Sequence, residues 1–291
     1  MNKRHTDSTL RFSILTPVYN DPGFLGELIT SVLQQDYPHY EHIIIDDGSS
    51  DNCATVNTLR RYPHLKWKSQ SNIGQYPTQN RLMKMASGDV LSIICADDLY
   101  PTGTVLSSVA RHFAAKPDLD VVVGRTRRLT EGGGRWYVFD PDLPAFLAKR
   151  LVRYCLNIQH CAFFVRRRLL QQEDLHFDIS YTMRGDWDWI LRVLAATTRV
   201  EYTNEVFAHW RLHRRQTSQV GGAGESEARR LCSAHGISYR AHRTVASVVN
   251  RLGMMCAAYS MARQLGPAAA LGAVLSRARR NFGRVIGPES S

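Results

Sequence analysis

Uninterrupted apolar runs are short throughout, and none approaches the roughly 20 residues that a membrane-spanning helix requires. Lys3, Arg4 and Arg11 stand near the start, but no long apolar core follows them, so no secretory signal is expected. Cysteines number six (53, 95, 155, 161, 232 and 256) and form no Cys-x-x-Cys pair. That excludes a disulfide scaffold and predicts scattered core thiols in a reducing compartment. There is no internal repeat, no long low-complexity segment, no helix-turn-helix and no zinc-ligand spacing. Aromatic interleaving of the basic residues is absent as well, so nucleic acid is not the expected partner. The run Gly132-Gly133-Gly134 fits no phosphate-binding loop and reads as a turn.

What is present is ordinary globular composition, 44 % hydrophobic and 22 % charged over 291 residues. The net charge of +11 is unevenly placed. Residues 205–291 carry 13 Arg against 4 Glu, whereas residues 1–204 carry 24 basic and 22 acidic side chains. A basic tail of this kind suits an anionic membrane surface. The first hundred residues alternate short β-branched runs with helical spacing. Phe12–Thr16 reads as a strand halted by Pro17, followed by a helix over Phe24–Gln35. Strands then follow at His42–Ile45, Leu65–Trp67 and Val90–Ile94, with helices over 52–61 and 75–86 between them. Strands separated by helices predict parallel pairing in an α/β, Rossmann-like doubly wound sheet. Val121–Gly124 extends it, and 126–145 reads as a loop or hairpin. Residues 225–263 and 268–286 have helical spacing, split by Gly266-Pro267.

Three carboxylate-bearing segments sit where strands end. Cys95-Ala96-Asp97-Asp98 follows Val90–Ile94, and hard oxygen ligands there suit Mg²⁺ or Mn²⁺ holding a phosphate. Asp46-Asp47-Gly48-Ser49-Ser50-Asp51 follows the second strand and carries more carboxylates than a helix cap needs. One of them can accept the imide N–H of a uracil ring. Thr16-Pro17-Val18-Tyr19-Asn20 closes the first strand. Further along stand Asn72-Ile73-Gly74, Gly88-Asp89, Asn157-Ile158-Gln159-His160, Phe163-Phe164-Val165-Arg166-Arg167 and Phe177-Asp178. Gly185-Asp186-Trp187-Asp188-Trp189 and Trp210-Arg211-Leu212-His213, with Ser218, complete the series. In this order the segments resemble the family 2 glycosyltransferases of the GT-A fold, from about residue 10 to residue 220.

The resemblance implies a metal-dependent, inverting transfer of a sugar from a nucleotide-diphosphate donor, with a UDP-sugar favoured. The acceptor would be a hydroxyl of a glycan or lipid-linked molecule. It implies Asp97 and His213 as metal ligands and Asp186 as the base that deprotonates the acceptor. Pro17, Tyr19, Asn20, Asp46, Asp47, Asn72, Gly74, Asn80 and Asp98 would line the donor, with Gln75 and Tyr76 nearby. Asp188 and Arg184 would face the acceptor, Asp188 with a structural role as the alternative; Arg166 and Arg167 are further pyrophosphate or acceptor candidates. Asp186 opens an amphipathic helix whose N-terminus keeps a carboxylate ionised, so burial is needed to keep it basic. A base facing the leaving group across the sugar gives inversion.

Two positions depart from the family pattern. Cys95 stands where Asp or Asn is usual, and a thiol is a poor ligand for a hard cation. Gly185 replaces the acid that often precedes the catalytic aspartate. These departures support a rival expectation, a catalytically degenerate protein that binds nucleotide sugars or glycans. A nucleotidyltransferase is disfavoured, because Thr16–Asp21 is no basic, glycine-rich loop. The expected organisation is a catalytic domain over 10–220 and a basic helical appendage over 225–291, cytoplasmic and peripheral on the inner face of the membrane.

Overall fold

The structure, a computed structural model, describes residues 9–132, 135–139, 143–213 and 223–265. The expected turn at Gly133-Gly134, Pro141, Ser218 and the expected helix over 268–286 lie outside them. The first half builds β1 (Phe12–Val18), α1 (Pro22–Leu33), β2 (Tyr40–Asp46), α2 (Ala54–Arg60), β3 (Lys66–Ser69), α3 (Gln75–Met85) and β4 (Val90–Ile93). After α4 (Val105–Ala115) come β5 (Val121–Gly132), β6 (Arg135–Phe139), α5 (Ala145–Leu151), a 3₁₀ turn at His160–Ala162 and β7 (Phe163–Arg166). The chain continues through α6 (Arg167–Gln172), α7 (Gly185–Ala196), β8 (Val200–Leu212), α8 (Ala223–Ala234) and α9 (Tyr239–Leu265).

Eight strands form one sheet in the order β3-β2-β1-β4-β7-β5-β6, with β8 paired to β5. β1 runs parallel to β2 and β4, β2 to β3, and β5 to β8. The β4–β7, β7–β5 and β5–β6 pairs are antiparallel, the last closing the hairpin that 126–145 allowed. Period-two alternation divides the strand side chains between the two faces of the sheet. Leu15, Ile43, Leu91, Val121 and Phe163 face α3, α6, α7 and α8, while Phe12, Ile14, Val90, Val122 and Phe164 face α1 and α4. Helices on both faces make the sheet doubly wound.

The expectation that Pro17 halts the first strand is corrected: β1 continues to Val18, with Pro17 opposite Ile45 of β2. Pairing with β4 has ended by Leu15, so the missing N–H of proline leaves no ladder bond unmade on that side. β5 is also longer than expected, because Arg125, Arg127 and Arg128 hide its second half from a hydrophobic pattern. Gly124 is fixed there by packing, since a Cβ would overlap the Phe207 ring of β8.

Candidate functional site

Strand order reverses between β1 and β4, and at such a switch point a crevice opens beyond the carboxyl ends of the strands. The loops after β1 and β2 are tied together at this edge. Asn20, in the left-handed region at φ 52°, donates its backbone N–H to Ser49 Oγ at 2.8 Å and accepts the N–H of Ser50 at 2.7 Å. Asp46 ends β2, is buried, and accepts the N–H of Ser49 at 3.1 Å. Asp47 accepts from Gln70 Nε2 (2.7 Å), Ile73 N (3.1 Å) and Gly74 N (2.9 Å). Its carboxylate thus folds the 70–74 loop and sets where α3 begins. Pro17 is buried beside them, while Tyr19 and Asn72 are exposed.

Beyond β4 the two adjacent carboxylates diverge. Asp97 Oδ2 lies 3.0 Å from Nε2 of His213, which is 116 residues away and stands just past β8. The β4 and β8 ends are held together by an antiparallel bridge between Leu99 and His209. Asp98 points the other way and is buried, accepting the N–H of Arg211 at 3.1 Å. Burial, then the charge of Asp97, raises the Asp98 carboxyl well above the ordinary range. Arg211, two residues before His213, is buried; its guanidinium lies 4.1 Å from the centre of the Phe24 ring and bonds Glu27 at 2.7 Å. Phe24 in turn packs against His213, with ring centres 5.1 Å apart.

Cys95 faces inward from the same loop, its Sγ 3.4 Å from His160 Nε2 and 4.0 Å from Gln75 Nε2. Burial, reinforced by Asp97, Asp98 and Asp186, pushes the thiol well above its ordinary pKa, so it stays neutral. His160, in the Asn157-Ile158-Gln159-His160 segment, is the buried imidazole beside that thiol. Burial lowers its pKa, while the charges of Asp186 and Asp97 oppose that shift. His160 therefore lies within electrostatic reach of both carboxylates. Its Nδ1 is buried without a hydrogen-bond partner.

Asp186 sits in the first turn of α7, where its Oδ1 accepts the N–H of Trp187 at 2.8 Å. Burial raises its carboxyl above the usual aspartate range, opposed by His160, Trp187 N–H and Arg184. This is the offset that a basic carboxylate at a helix N-terminus needs. Gly185 has its own physical reason: a Cβ there would come within 2.7 Å of the Tyr76 ring. Tyr76 is buried and stacks on Phe177, which stacks on Trp189, at centroid distances of 5.5 and 4.8 Å. Burial and the Asp186 charge raise the Tyr76 phenol, against the backbone N–H groups of Asp186 and Gly185, which act on the same oxygen.

Other expected site residues are already engaged. Asn80 clamps the backbone of Phe177, donating to its carbonyl at 2.9 Å and accepting its N–H at 2.8 Å. Asp188 is buried and shared between Arg192 at 2.8 Å and His235 of α8 at 2.9 Å. That environment fits a structural role for Asp188. Arg184 precedes α7, and its Nε is buried without a hydrogen-bond partner. Arg166 and Arg167 lie at the start of β4, across from Val90 and against the Gly88 carbonyl, at the sheet end opposite the crevice. Their candidacy for the pyrophosphate does not fit that position.

Over residues 13–173 the chain matches glycosyl transferase family 2. It is 25 % identical over 231 residues to the uncharacterized glycosyltransferase YibD of Escherichia coli (strain K12), covering 75 % of this chain and 66 % of that protein. It is 28 % identical over 189 residues to a PGL/p-HBAD biosynthesis glycosyltransferase of Mycobacterium bovis, covering 62 % of this chain and 68 % of that one. The chain thus spans about two thirds of the length of these relatives. In fold it is similar to S. aureus TarS 1–349 in complex with UDP-GlcNAc, with TM-score 0.61 at 18 % identity over 84 % of this chain and 73 % of that one. It is similar also to the mannosyltransferase PcManGT of Pyrobaculum calidifontis, in complex with GDP-Man and Mn²⁺. That match has TM-score 0.58 at 17 % identity over 96 % and 81 % of the two chains. The doubly wound sheet is the GT-A arrangement, and the chain belongs to glycosyl transferase family 2.

Proposed function

We propose that the chain transfers a sugar from a nucleotide-diphosphate donor, a UDP-sugar first among candidates, to a hydroxyl of a glycan or lipid-linked acceptor, with inversion. The observation that supports this reading is that Asp186 and Asp97, the latter paired with His213, both act electrostatically on the Cys95–His160 contact beyond the strand ends. Asp186 takes the acceptor proton as the acceptor oxygen attacks the anomeric carbon. The bond from that carbon to the diphosphate oxygen breaks, and the nucleoside diphosphate leaves with the electron pair.

Asp97 and His213 would hold Mg²⁺ or Mn²⁺. Among the described residues no three His, Cys, Asp or Glu side chains converge as a metal cluster. Two protein ligands nonetheless fit a cation that completes its shell with water and substrate phosphate, the habit of Mg²⁺. When bound, it stabilises charge growing on the departing diphosphate. Mn²⁺ accompanies GDP-Man in PcManGT, and UDP-GlcNAc is held by TarS, so both nucleotides belong in the test. Asp46, Asp47 and Asn20 build the loops at the nucleotide side, with Pro17, Tyr19, Asn72 and Gly74 as donor-facing positions. Arg184, with its unpartnered buried Nε, suits the acceptor side or a developing negative charge.

The rival reading, a degenerate binding protein, rested on Cys95 and Gly185. Both have local reasons that leave Asp97, His213 and Asp186 in place: a neutral thiol against His160, and a Tyr76 ring filling the space of a side chain. The test is nucleotide release from UDP- and GDP-sugars by the wild type and by Asp186→Asn. A loss of about 100-fold or more in the variant is expected for a missing base. Equal turnover in the two overturns the assignment.

A further inference from the structure

Helix α8 lies outside the span of the family match, yet it grips the segment that leads into α7. Glu227, a buried residue of α8, gathers four donors on its two oxygens. Oε1 accepts the backbone N–H and the hydroxyl of Thr182, both at 2.7 Å. Oε2 accepts the N–H of Met183 at 2.9 Å and that of Arg184 at 3.0 Å. Burial acts to raise this carboxyl, but the four bonds outweigh it and hold the group below the ordinary glutamate range. These three amides belong to an irregular segment with no strand or helix partner of its own, so Glu227 is what holds their backbone in place. Two residues further on stands Asp186.

This grip fixes where α7 begins. A helix leaves its first four N–H groups without internal partners. The cap position of α7, Arg184, supplies no side-chain hydrogen bond. Instead Asp186 serves Trp187 N–H, and the Arg184 carbonyl serves Asp188 N–H. Glu227 takes the three that precede them. The backbone N–H groups of 182, 183, 184, 187 and 188 are thus each bonded, and the first three depend on one side chain from outside the α7 segment. The rest of α8 is held independently: Leu231 and Cys232 are buried in the main core, and Arg230 lies 3.9 Å from the centre of the Tyr181 ring.

We propose that Glu227 is a positioning residue for sugar transfer. By fixing the backbone of Thr182–Arg184 it sets where α7 begins, and so where the Asp186 carboxylate stands relative to the acceptor. The proposal rests on the reading of Asp186 as the base. It makes α8 part of the catalytic apparatus, although Glu227 touches no reacting atom.

The test uses the full chain and Glu227→Gln, which keeps the shape of the side chain. Its amide turns an NH₂ group towards two of the four donors, so the 182–184 backbone loses half its anchors. Nucleotide release from UDP- and GDP-sugars is expected to fall about 100-fold in kcat with donor KM unchanged, because small misplacements of a catalytic group carry such costs. Amide hydrogen exchange should quicken at residues 182–188 and stay unchanged in α1 and α4. Arg230→Ala is the control, since it loosens α8 while leaving Glu227 bonded, and should keep wild-type kcat. A Glu227→Gln protein with wild-type kcat overturns the proposal, as does an Arg230→Ala protein that loses activity equally. A wild type that releases no nucleotide overturns the reading of Asp186 instead, and the proposal with it.

Discussion

At position 185 the absence of a side chain and the presence of Tyr76 are two halves of one packing solution. A methyl group at 185 would approach the ring to within 2.7 Å, and the ring is held by its stack on Phe177. Replacing a helical glycine by alanine ordinarily stabilises by about 0.5–1 kcal/mol, whereas overpacking a full site costs about 1–3 kcal/mol. The second effect wins here. Gly185→Ala is therefore expected to destabilise the protein in urea unfolding, and to become neutral or stabilising once Tyr76→Ala has opened the space. Equal effects in the two backgrounds would contradict the packing account. In the sequence, Gly185 shows only that an acid is missing; what fills its place comes from a residue far earlier in the chain. The placement of Asp97 and His213 beyond strand ends and of Asp186 at a helix start was legible, because ordered motifs carry these residues. The bonds of Asn80 and Asp188 were not, because each depends on a partner from another element, the Phe177 backbone and His235.

Elements were legible where burial wrote a simple pattern. Ile43-Ile44-Ile45 and Val121-Val122-Val123 are buried on both faces and read as strands at once. β8 and the outer half of β5 carry arginines, glutamates and asparagine, and their pairing is decided by each other rather than by local propensity. The central β1–β2 pair also carries a pH-dependent term. His42 is buried against Thr16 Oγ1 at 3.0 Å, and burial, with a contribution from His64, lowers its pKa to about 3. Unfolded histidine titrates near 6.5, so below that pH the unfolded chain binds a proton that the fold refuses. Stability is full above about 6.5 and falls by up to about 1.4 kcal/mol per pH unit as the pH drops towards about 3. Glu41 acts in the same direction at lower pH. Burial would raise it, but bonds from Lys66, Ser13 and Ser87 hold it at about 2, so its contribution is lost from about 4.5 downward. Urea midpoints should fall between about pH 7 and pH 5, less steeply in His42→Leu. Parallel slopes in the two proteins would contradict the assignment.

On the scale of the whole molecule, charge separates the ends of the chain, and we propose that this separation serves a lipid-linked acceptor. The catalytic domain proposed over 10–220 is nearly neutral, and the basic region over 225–291 would place it on the cytoplasmic face of a membrane. Helix α9 has no acidic residue, carries Arg240, Arg243 and Arg251, and leaves Val248, Leu252 and Met255 exposed. No helix among the described residues is long and apolar enough to cross a membrane. The full chain should co-sediment with phosphatidylglycerol-containing vesicles, more weakly at high salt and after Leu252→Asp. Equal binding to neutral vesicles would contradict a charge-driven membrane role, and no binding at low salt would contradict a membrane role altogether. The charge step was visible in the sequence. The grip of α8 on the 182–184 backbone was not, because no local pattern signals a carboxylate that caps another helix's approach.

The central claim is a nucleotide site whose metal is held by Asp97 and His213, and calorimetric titration of UDP and GDP tests it most directly. With Mn²⁺ present, one nucleotide should bind, weaken sharply in the presence of chelator, and weaken equally in Asp97→Ala. Binding of GDP rather than UDP would change the donor and keep the enzyme class. No nucleotide binding under either metal condition would contradict the account and favour a protein that keeps the fold without the transfer.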